Sequence, residues 1–206
     1  MTMQQPIFDP VKFKDTTRKQ WDSAAEAWNR WGPLLTRWLG PATELMLDMT
    51  DIGKGSRVLD VAAGAGEETL TAARRVGPTG YVLATDISPG ILDFAASNAK
   101  LAGHANVDTV VADGEMLDAI SAQPFDAVIS RVGLIYFPDQ NRALGGCAII
   151  SSRAARLAPS SIPPPTRTCS SRSRSASSAA APPCPRLYPA SPDRSAWATR
   201  RCLPGA

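Results

Sequence analysis

The chain has 206 residues, of which 44% are hydrophobic and 20% charged, and its formal net charge is +3. No stretch approaches the ~18 consecutive apolar residues of a membrane-spanning helix, and the first residues lack the apolar segment of a secretory signal. We therefore expect a cytoplasmic protein without a membrane span.

The charge is divided unevenly along the chain. Residues 1–150 hold 13 Lys and Arg against 18 Asp and Glu, a net charge of −5, whereas residues 151–206 hold nine Arg against one Asp, a net charge of +8. The second segment is also rich in Ser, Pro and Ala, so it buries too little apolar surface to offset its chain entropy. We predict N-terminal helices that form a lid over residues 1–50, a strand–helix core over 51–144 and a disordered tail over 145–206.

The predicted elements begin with helices. Asp15 is a typical helix N-cap, and Trp21 and Trp28 are seven residues apart, as on one face of a helix. A Gly-Pro pair interrupts the pattern, and helical spacing resumes over residues 34–49. We expect the four Trp residues of this segment to pack in a core or a lid, with a stacking platform as the alternative.

Four short apolar runs predict buried strands, and helical patterns separate the first three. The strands cover residues 57–61, 81–86, 107–112 and 125–130, and the helices cover 67–76 and 88–102. Strands that alternate with helices of about ten to fifteen residues predict right-handed βαβ units and a parallel sheet. The expected fold is therefore α/β, with a Rossmann-like, doubly wound sheet.

Small and acidic residues follow these strands at the edge where such sheets bind ligands. The first strand runs into DVAAGAG, residues 60–66, whose small side chains let a ligand approach the backbone and the amides of the next helix. Asp86 ends the second strand, where a carboxylate can accept hydrogen bonds from a ribose diol. Asp113 follows the third strand and could accept a hydrogen bond from the amine of a base. Ser130 and Arg131 end the fourth strand at the same edge.

Each of these residues also has a purely structural interpretation. Glycines after a strand can form only a tight turn, and a single Asp at a strand end can be a solvated helix cap, so we give weight to the whole set in register. His104, the only histidine, lies in a polar turn and indicates no Ser–His or Cys–His nucleophile. The four Cys contain no CxxC pair, so we expect no metal site.

Two kinds of nucleotide cofactor use an edge of this kind. A dinucleotide site needs Gly-x-Gly-x-x-Gly. The corresponding residues here, 64–69, read GAGEET, so the third glycine is absent and two acids would repel a pyrophosphate. S-adenosylmethionine is a sulfonium cation without phosphate and tolerates acids beside the glycine loop. We therefore expect S-adenosylmethionine as the cofactor.

Four ordered motifs resemble those of the class I S-adenosylmethionine-dependent methyltransferases, most closely the branch of the ubiquinone/menaquinone C-methyltransferases. The first motif is VLDVAAGAGEETL, with Ala62 in place of the family's first glycine. The others, in chain order, are VLATDIS, VVADGEMLD and FDAVISRVGLIYFPD. The resemblance covers residues 15–142.

The resemblance implies a cofactor-binding set at the strand ends. Its members are Asp60, Ala62, Gly64, Gly66, Asp86, Ile87, Asp113, Gly114, Ser130 and Arg131. The glycine loop would hold the methionine end, the end of the second strand the ribose and adenine, and Asp113 and Gly114 the adenine. Ser130 and Arg131 would line the floor near the methyl group. No catalytic acid or base is assigned, because the cofactor carries the chemistry and the protein positions the reactants.

The match to the family pattern stops after Leu144. The family continues with a Leu-Lys-Pro-Gly-Gly turn and three more strands, whereas this chain reads GGCAIISSRAARLAP. Residues 146–155 can be encoded so that the frame two bases on reads MRDHLKPGG, and residues 158–174 permit AIVYSTADPNMFFSIPV in the same frame. We therefore hypothesise a frameshifted C-terminus and an incomplete seven-stranded fold without its C-terminal strands, which leaves the fourth strand as an exposed apolar edge.

These observations predict methyl transfer to a carbon or oxygen of a small-molecule acceptor. The alternative is an inactive, truncated remnant without catalysis, since the incomplete sheet would lack half of the acceptor wall. A third hypothesis, RNA binding by the Arg-rich tail, is disfavoured because the tail has no Lys and no aromatic interleaving, and we expect no nucleic acid partner. The sequence predicts neither the acceptor nor the oligomeric state.

Overall fold

The structure, a computed structural model, describes residues 8–120 and 124–160, and side chains up to Ser151. These residues belong to one compact unit, Met1–Pro165. The disorder predicted for the tail beyond residue 160 lies outside the described residues. No helix in the described part of the chain combines the length and the apolarity that a membrane span requires.

The N-terminal segment is one helix of 40 residues, α1 (Pro10–Met49), and not two. Asp9 is its N-cap, with Oδ1 accepting hydrogen bonds from the N–H groups of Val11 and Lys12 at 3.0 and 3.1 Å. The predicted start at Asp15 and the predicted interruption after Gly32 are therefore wrong. Two prolines lie inside α1, and the helix continues through them because packing of its buried face outweighs the lost backbone hydrogen bonds.

Strands and helices alternate through the rest of the described chain. In order they are β1 (Arg57–Val61), α2 (Glu67–Val76), β2 (Tyr81–Asp86), α3 (Pro89–Leu101), β3 (Val107–Val111), β4 (Phe125–Arg131), α4 (Gln140–Ile150) and β5 (Ser151–Ser160). Short 3₁₀ turns cover Leu117–Ala119 and Gly133–Tyr136. The four predicted strands are all present.

The five strands form one parallel sheet in the order β3-β2-β1-β4-β5. The strand order reverses between β1 and β4, so the crevice beyond their carboxyl ends is the topological switch point where ligands of such sheets bind. The predicted Rossmann-like, doubly wound α/β fold is confirmed.

A fifth strand covers β4, contrary to the prediction that β4 is left as an exposed edge. β5 pairs with β4 from Ala127↔Arg156 to Arg131↔Ser160, so β4 is not an exposed edge. The predicted core boundary at residue 144 falls inside α4, and residues 145–160 belong to α4 and β5 and not to a disordered tail. The physical reason is that β-ladder hydrogen bonds come from the backbone, which satisfies β4 even where the added sequence is not strand-like.

Apolar side chains fill both faces of the sheet. Val58 points to one face, where it packs with Leu47 and Ile129, and Leu59 points to the other, where it packs with Phe125. This alternation is the two-residue repeat of a strand buried on both sides. The packed strands fix the positions of their carboxyl ends, which carry the candidate site.

Candidate functional site

The loop after β1 turns sharply because three of its residues adopt the left-handed conformation. Ala62, Gly64 and Gly66 have φ angles of 60°, 57° and 93°, a region that glycine alone enters without steric cost. Ala62 is therefore strained at the position where the resembled motif has glycine. A Cβ on Gly66 would lie 3.1 Å from the Cβ of Ala95, so this glycine also lets α3 pack against the start of α2.

Asp86 fastens the glycine loop to the end of β2. Its Oδ2 accepts a hydrogen bond from the Gly64 N–H at 3.0 Å, and its Oδ1 accepts one from the Ser88 N–H at 3.0 Å. The side chain is buried, and burial raises the pKa of the carboxyl although these N–H groups oppose the rise. The carboxylate therefore organises the loop in addition to lining the crevice.

A buried ion network lies on the other side of the loop. Arg131 Nη2 is 2.7 Å from Glu68 Oε2 and 4.0 Å from Glu67 Oε2, and Arg131 Nη1 donates a hydrogen bond to Thr43 Oγ1 at 2.9 Å. Arg131 ends β4, Glu68 lies in the first turn of α2 and Thr43 belongs to α1. One guanidinium thus links three elements around the crevice.

Asp60 lies behind this network and is fully buried. Thr69 Oγ1 donates a hydrogen bond to Asp60 Oδ2 at 2.6 Å, whereas Oδ1 has no hydrogen-bond partner within the described residues. Burial raises the pKa of Asp60 to about 7, against the lowering effect of Thr69 and Arg131. Burial and the Asp60 charge also raise the pKa of Glu68. Asp60, Glu67 and Glu68 are thus three acids near the single positive charge of Arg131. This excess of acidic groups favours a cationic ligand group.

The loop after β3 lies under the first turns of α1. Lys14 Nζ donates hydrogen bonds to Asp113 Oδ2 at 2.7 Å and to Glu115 Oε2 at 2.6 Å. Gly114 packs against the ring of Phe137, and a Cβ at this position would collide with that ring. The residues predicted to hold adenine are therefore covered by α1 on one side and by the chain after β4 on the other.

The loop after β4 packs directly on the loop after β1. A Cβ on Gly133 would lie 2.6 Å from the Cβ of Ala62 and 2.7 Å from Ser130 Oγ, so only glycine fits. Ser130 is buried, and its Oγ has no hydrogen-bond partner in the described part of the chain. These contacts close the floor of the crevice.

α1 passes over the strand ends and roofs a cavity. Of the ten residues predicted from the sequence, seven line it, namely Ala62, Gly64, Asp86, Ile87, Asp113, Gly114 and Arg131. The other three, Asp60, Gly66 and Ser130, lie just outside the lining. The structure therefore brings the predicted set together around one cavity, with three members supporting its wall.

Much of the cavity wall comes from residues that the sequence did not assign to the site. They include Lys14, Thr17, Trp21, Trp28, Leu35, Trp38 and Leu39 of α1, Glu67 and Glu68, and Val132, Gly133, Tyr136 and Phe137 after β4. Trp21 packs edge-to-face on Trp28 at 5.0 Å and on Tyr136 at 5.5 Å, measured between ring centroids. The seven-residue spacing of Trp21, Trp28 and Leu35 was the available sequence signal that one face of α1 lines the cavity.

Comparisons with known proteins point to one family. The sequence model of a methyltransferase domain matches residues 58–150. The aklanonic acid methyltransferase DauC of Streptomyces sp. strain C5 is 30% identical over 146 residues, which are 71% of this chain and 64% of DauC. The ubiquinone/menaquinone biosynthesis C-methyltransferase UbiE of Pasteurella multocida is 35% identical over 112 residues, 54% of this chain and 41% of UbiE. The chain thus spans about two fifths to two thirds of the length of these relatives.

A solved structure gives the same fold. Coclaurine N-methyltransferase, bound to N-methylheliamine and S-adenosylhomocysteine, aligns with a TM-score of 0.51 over 57% of this chain and 34% of that enzyme, at 20% identity. The matched domain, these relatives and the glycine loop followed by Asp86 all indicate a methyltransferase. Residues 58–150 match a methyltransferase domain, and the chain is similar to the methyltransferases DauC and UbiE over 54–71% of its length.

Proposed function

We propose that this protein transfers a methyl group from S-adenosylmethionine to a carbon or oxygen of a small molecule. The observation that carries the proposal is the hydrogen bond between Asp86 and the Gly64 N–H, which joins the glycine loop to the end of β2 at the switch point of the sheet. The surplus of acids around Arg131 supports a cationic cofactor over one with a pyrophosphate.

The cavity residues fit the parts of S-adenosylmethionine. The methionine end would lie at the glycine loop near Asp60 and Glu67, the ribose at Asp86 and Ile87, and the adenine at Asp113 and Gly114. When bound, S-adenosylmethionine supplies an electrophilic methyl group. The protein's part is to hold the two reactants in line and to exclude water, and neither task needs a dedicated acid or base.

The acceptor side of the cavity favours an apolar, ring-containing small molecule. Trp21, Trp38, Leu39 and Tyr136 line this part of the wall, and aromatic and aliphatic side chains bind small molecules chiefly through apolar contact. The two curated relatives are named for aklanonic acid and for ubiquinone/menaquinone biosynthesis, which are small-molecule acceptors or products. We propose a cytoplasmic enzyme with such an acceptor and without a nucleic acid partner.

Transfer of a labelled methyl group tests this function. The purified full chain is incubated with S-adenosylmethionine labelled on the methyl carbon and with a panel of phenols, hydroxylated quinones and aromatic carboxylic acids. We expect label in the organic extract for part of the panel, and none in added RNA or protein. Binding of S-adenosylhomocysteine without transfer to any acceptor would favour the alternative, a remnant that keeps the cofactor site and lacks catalysis.

A further inference from the structure

Trp28 presents a free hydrogen-bond donor over the glycine loop. Its indole Nε1 lies 3.4 Å from the position that a Cβ on Gly64 would occupy, and the side chain lines the cavity. No residue in 8–120 or 124–160 accepts a hydrogen bond from this N–H group. An indole N–H that is half-buried usually finds an acceptor, so its place beside Gly64, on a residue that lines the cavity, indicates that a ligand atom supplies one.

The ring of Trp28 is held in place by packing. It contacts the cluster formed by Ala25, Ala65 and Ile91 and meets Trp21 edge-to-face at 5.0 Å. These contacts fix the indole plane against the loop without using its polar atom. The N–H group is thus positioned before any ligand binds, which reduces the entropy that binding must overcome.

The next turn of α1 brings an acid to the same place. Gly32 follows Trp28 by four residues and so lies on the same face of the helix. A Cβ on Gly32 would lie 3.0 Å from Glu67 Oε1, so α1 rests directly on the Glu67 carboxylate. A donor against Gly64 and an acid against Gly32, contacted by consecutive turns of α1, match the carboxylate and the ammonium group of an amino acid.

We propose that Trp28 is a cofactor-binding residue whose Nε1–H donates a hydrogen bond to the carboxylate of the methionine end of S-adenosylmethionine. The proposal rests on the proposed function and assigns α1 to the cofactor site, in addition to its function as a cover. Glu67 takes the ammonium group of the same amino-acid end, so the two charges of that end are bound by neighbouring turns of α1 and α2.

Two ligands and two variants separate this role from packing. S-adenosylhomocysteine carries the amino-acid end, and 5′-methylthioadenosine has the adenosine and the thioether without it. Calorimetry on the full chain measures the Kd of both for the wild type and for Trp28→Phe, which keeps an aromatic ring and loses the N–H group. We expect Trp28→Phe to weaken S-adenosylhomocysteine about tenfold, as for a lost hydrogen bond to a charged group, and to leave 5′-methylthioadenosine unchanged.

Trp38→Phe is the matched control, because Trp38 lines the same cavity from the same helix about 15 Å further along its axis. It should not change the ratio of the two Kd values. An unchanged ratio in Trp28→Phe, whether both ligands bind as in the wild type or both weaken equally, overturns the proposal and leaves Trp28 as a packing residue. Failure of the wild type to bind S-adenosylhomocysteine overturns the proposed function itself.

Discussion

Lys14 Nζ donates a hydrogen bond to Asp113 Oδ2 at 2.7 Å and so ties the first turns of α1 to the loop after β3. The two residues are 99 positions apart in the sequence. The same ammonium group binds Glu115 at 2.6 Å. Burial alone would lower the pKa of Lys14, but the two carboxylates raise it above its usual value. The ion pairs hold α1 over the part of the cavity that we assign to adenine.

Removal of the Lys14 ion pairs should increase local opening at the beginning of α1. In Lys14→Met we expect backbone amides of residues 10–20 to exchange with deuterium about fivefold faster than in the wild type, as for the loss of about 1 kcal/mol from a partly exposed ion pair. Mass spectrometry of peptides from this segment measures the rates. Lys19→Met is the control, because the ion pair of Lys19 among the described residues lies within α1, with Asp15. Equal rates in the two variants would contradict the role of Lys14.

Removing one partner of the Arg131–Glu68 ion pair should destabilise the fold. Replacing both partners with apolar residues should not. Arg131→Met leaves the Glu68 charge buried without a partner, so we expect a loss of about 3–5 kcal/mol in the free energy of unfolding in urea. The double variant Arg131→Met, Glu68→Leu removes both charges and should recover most of this loss. A double variant as unstable as the single one would mean that side-chain shape, and not charge, accounts for the effect.

Asp60 should make the protein less stable as the pH rises from 4 to 7. Burial raises its pKa to about 7 in the folded state, against about 3.9 for an exposed Asp. The folded state therefore binds the proton more tightly than the unfolded state in this range, and stability falls with increasing pH. Asp60→Asn removes this contribution to the pH dependence of stability. Between pH 4 and 7 the free energy of unfolding of Asp60→Asn should rise relative to that of the wild type by a few kcal/mol. Urea unfolding at each pH measures this difference. A difference independent of pH would contradict the burial of an ionisable Asp60.

The coding sequence across codons 140–160 tests the frameshift hypothesis. In the shifted frame the LKPGG turn falls on codons 150–154. α4 ends at Ile150 and passes into β5 without a turn, and the regular pairing of β5 with β4 resumes only at Arg156. The missing turn thus coincides with the one irregular junction between described elements of the sheet. We predict an inserted or deleted base when this region is resequenced from independent isolates. An unchanged sequence without LKPGG-like text in any frame would refute the hypothesis.

Local sequence patterns were enough to predict the parts of the site that depend on neighbouring residues. The strand ends at Asp60 and Asp86 follow short apolar runs, and the glycine loop follows from the small residues between β1 and α2. Each of these signals spans fewer than ten residues. The parallel sheet then brings the strand ends to one edge without further information.

Contacts between distant residues could not be predicted in this way. Nothing near Asp113 indicates that Lys14 neutralises it, and nothing near Arg131 indicates that it binds Glu68 and Thr43. The start of α1 was misplaced because Asp15 and Asp9 are both acceptable N-caps, and Asp15 instead pairs with Lys19. β5 was missed because its pairing uses backbone groups that every sequence carries.

Binding of S-adenosylhomocysteine to the full chain tests the central claim most directly. Calorimetry should give saturable heat with the wild type and none with Asp86→Ala, since this change removes the acceptor that we propose for the ribose hydroxyls and the hydrogen bonds that hold Gly64 and Ser88. Circular dichroism confirms that the variant remains folded. No heat with the wild type, or equal affinity in wild type and Asp86→Ala, would contradict the assignment of this crevice as the cofactor site.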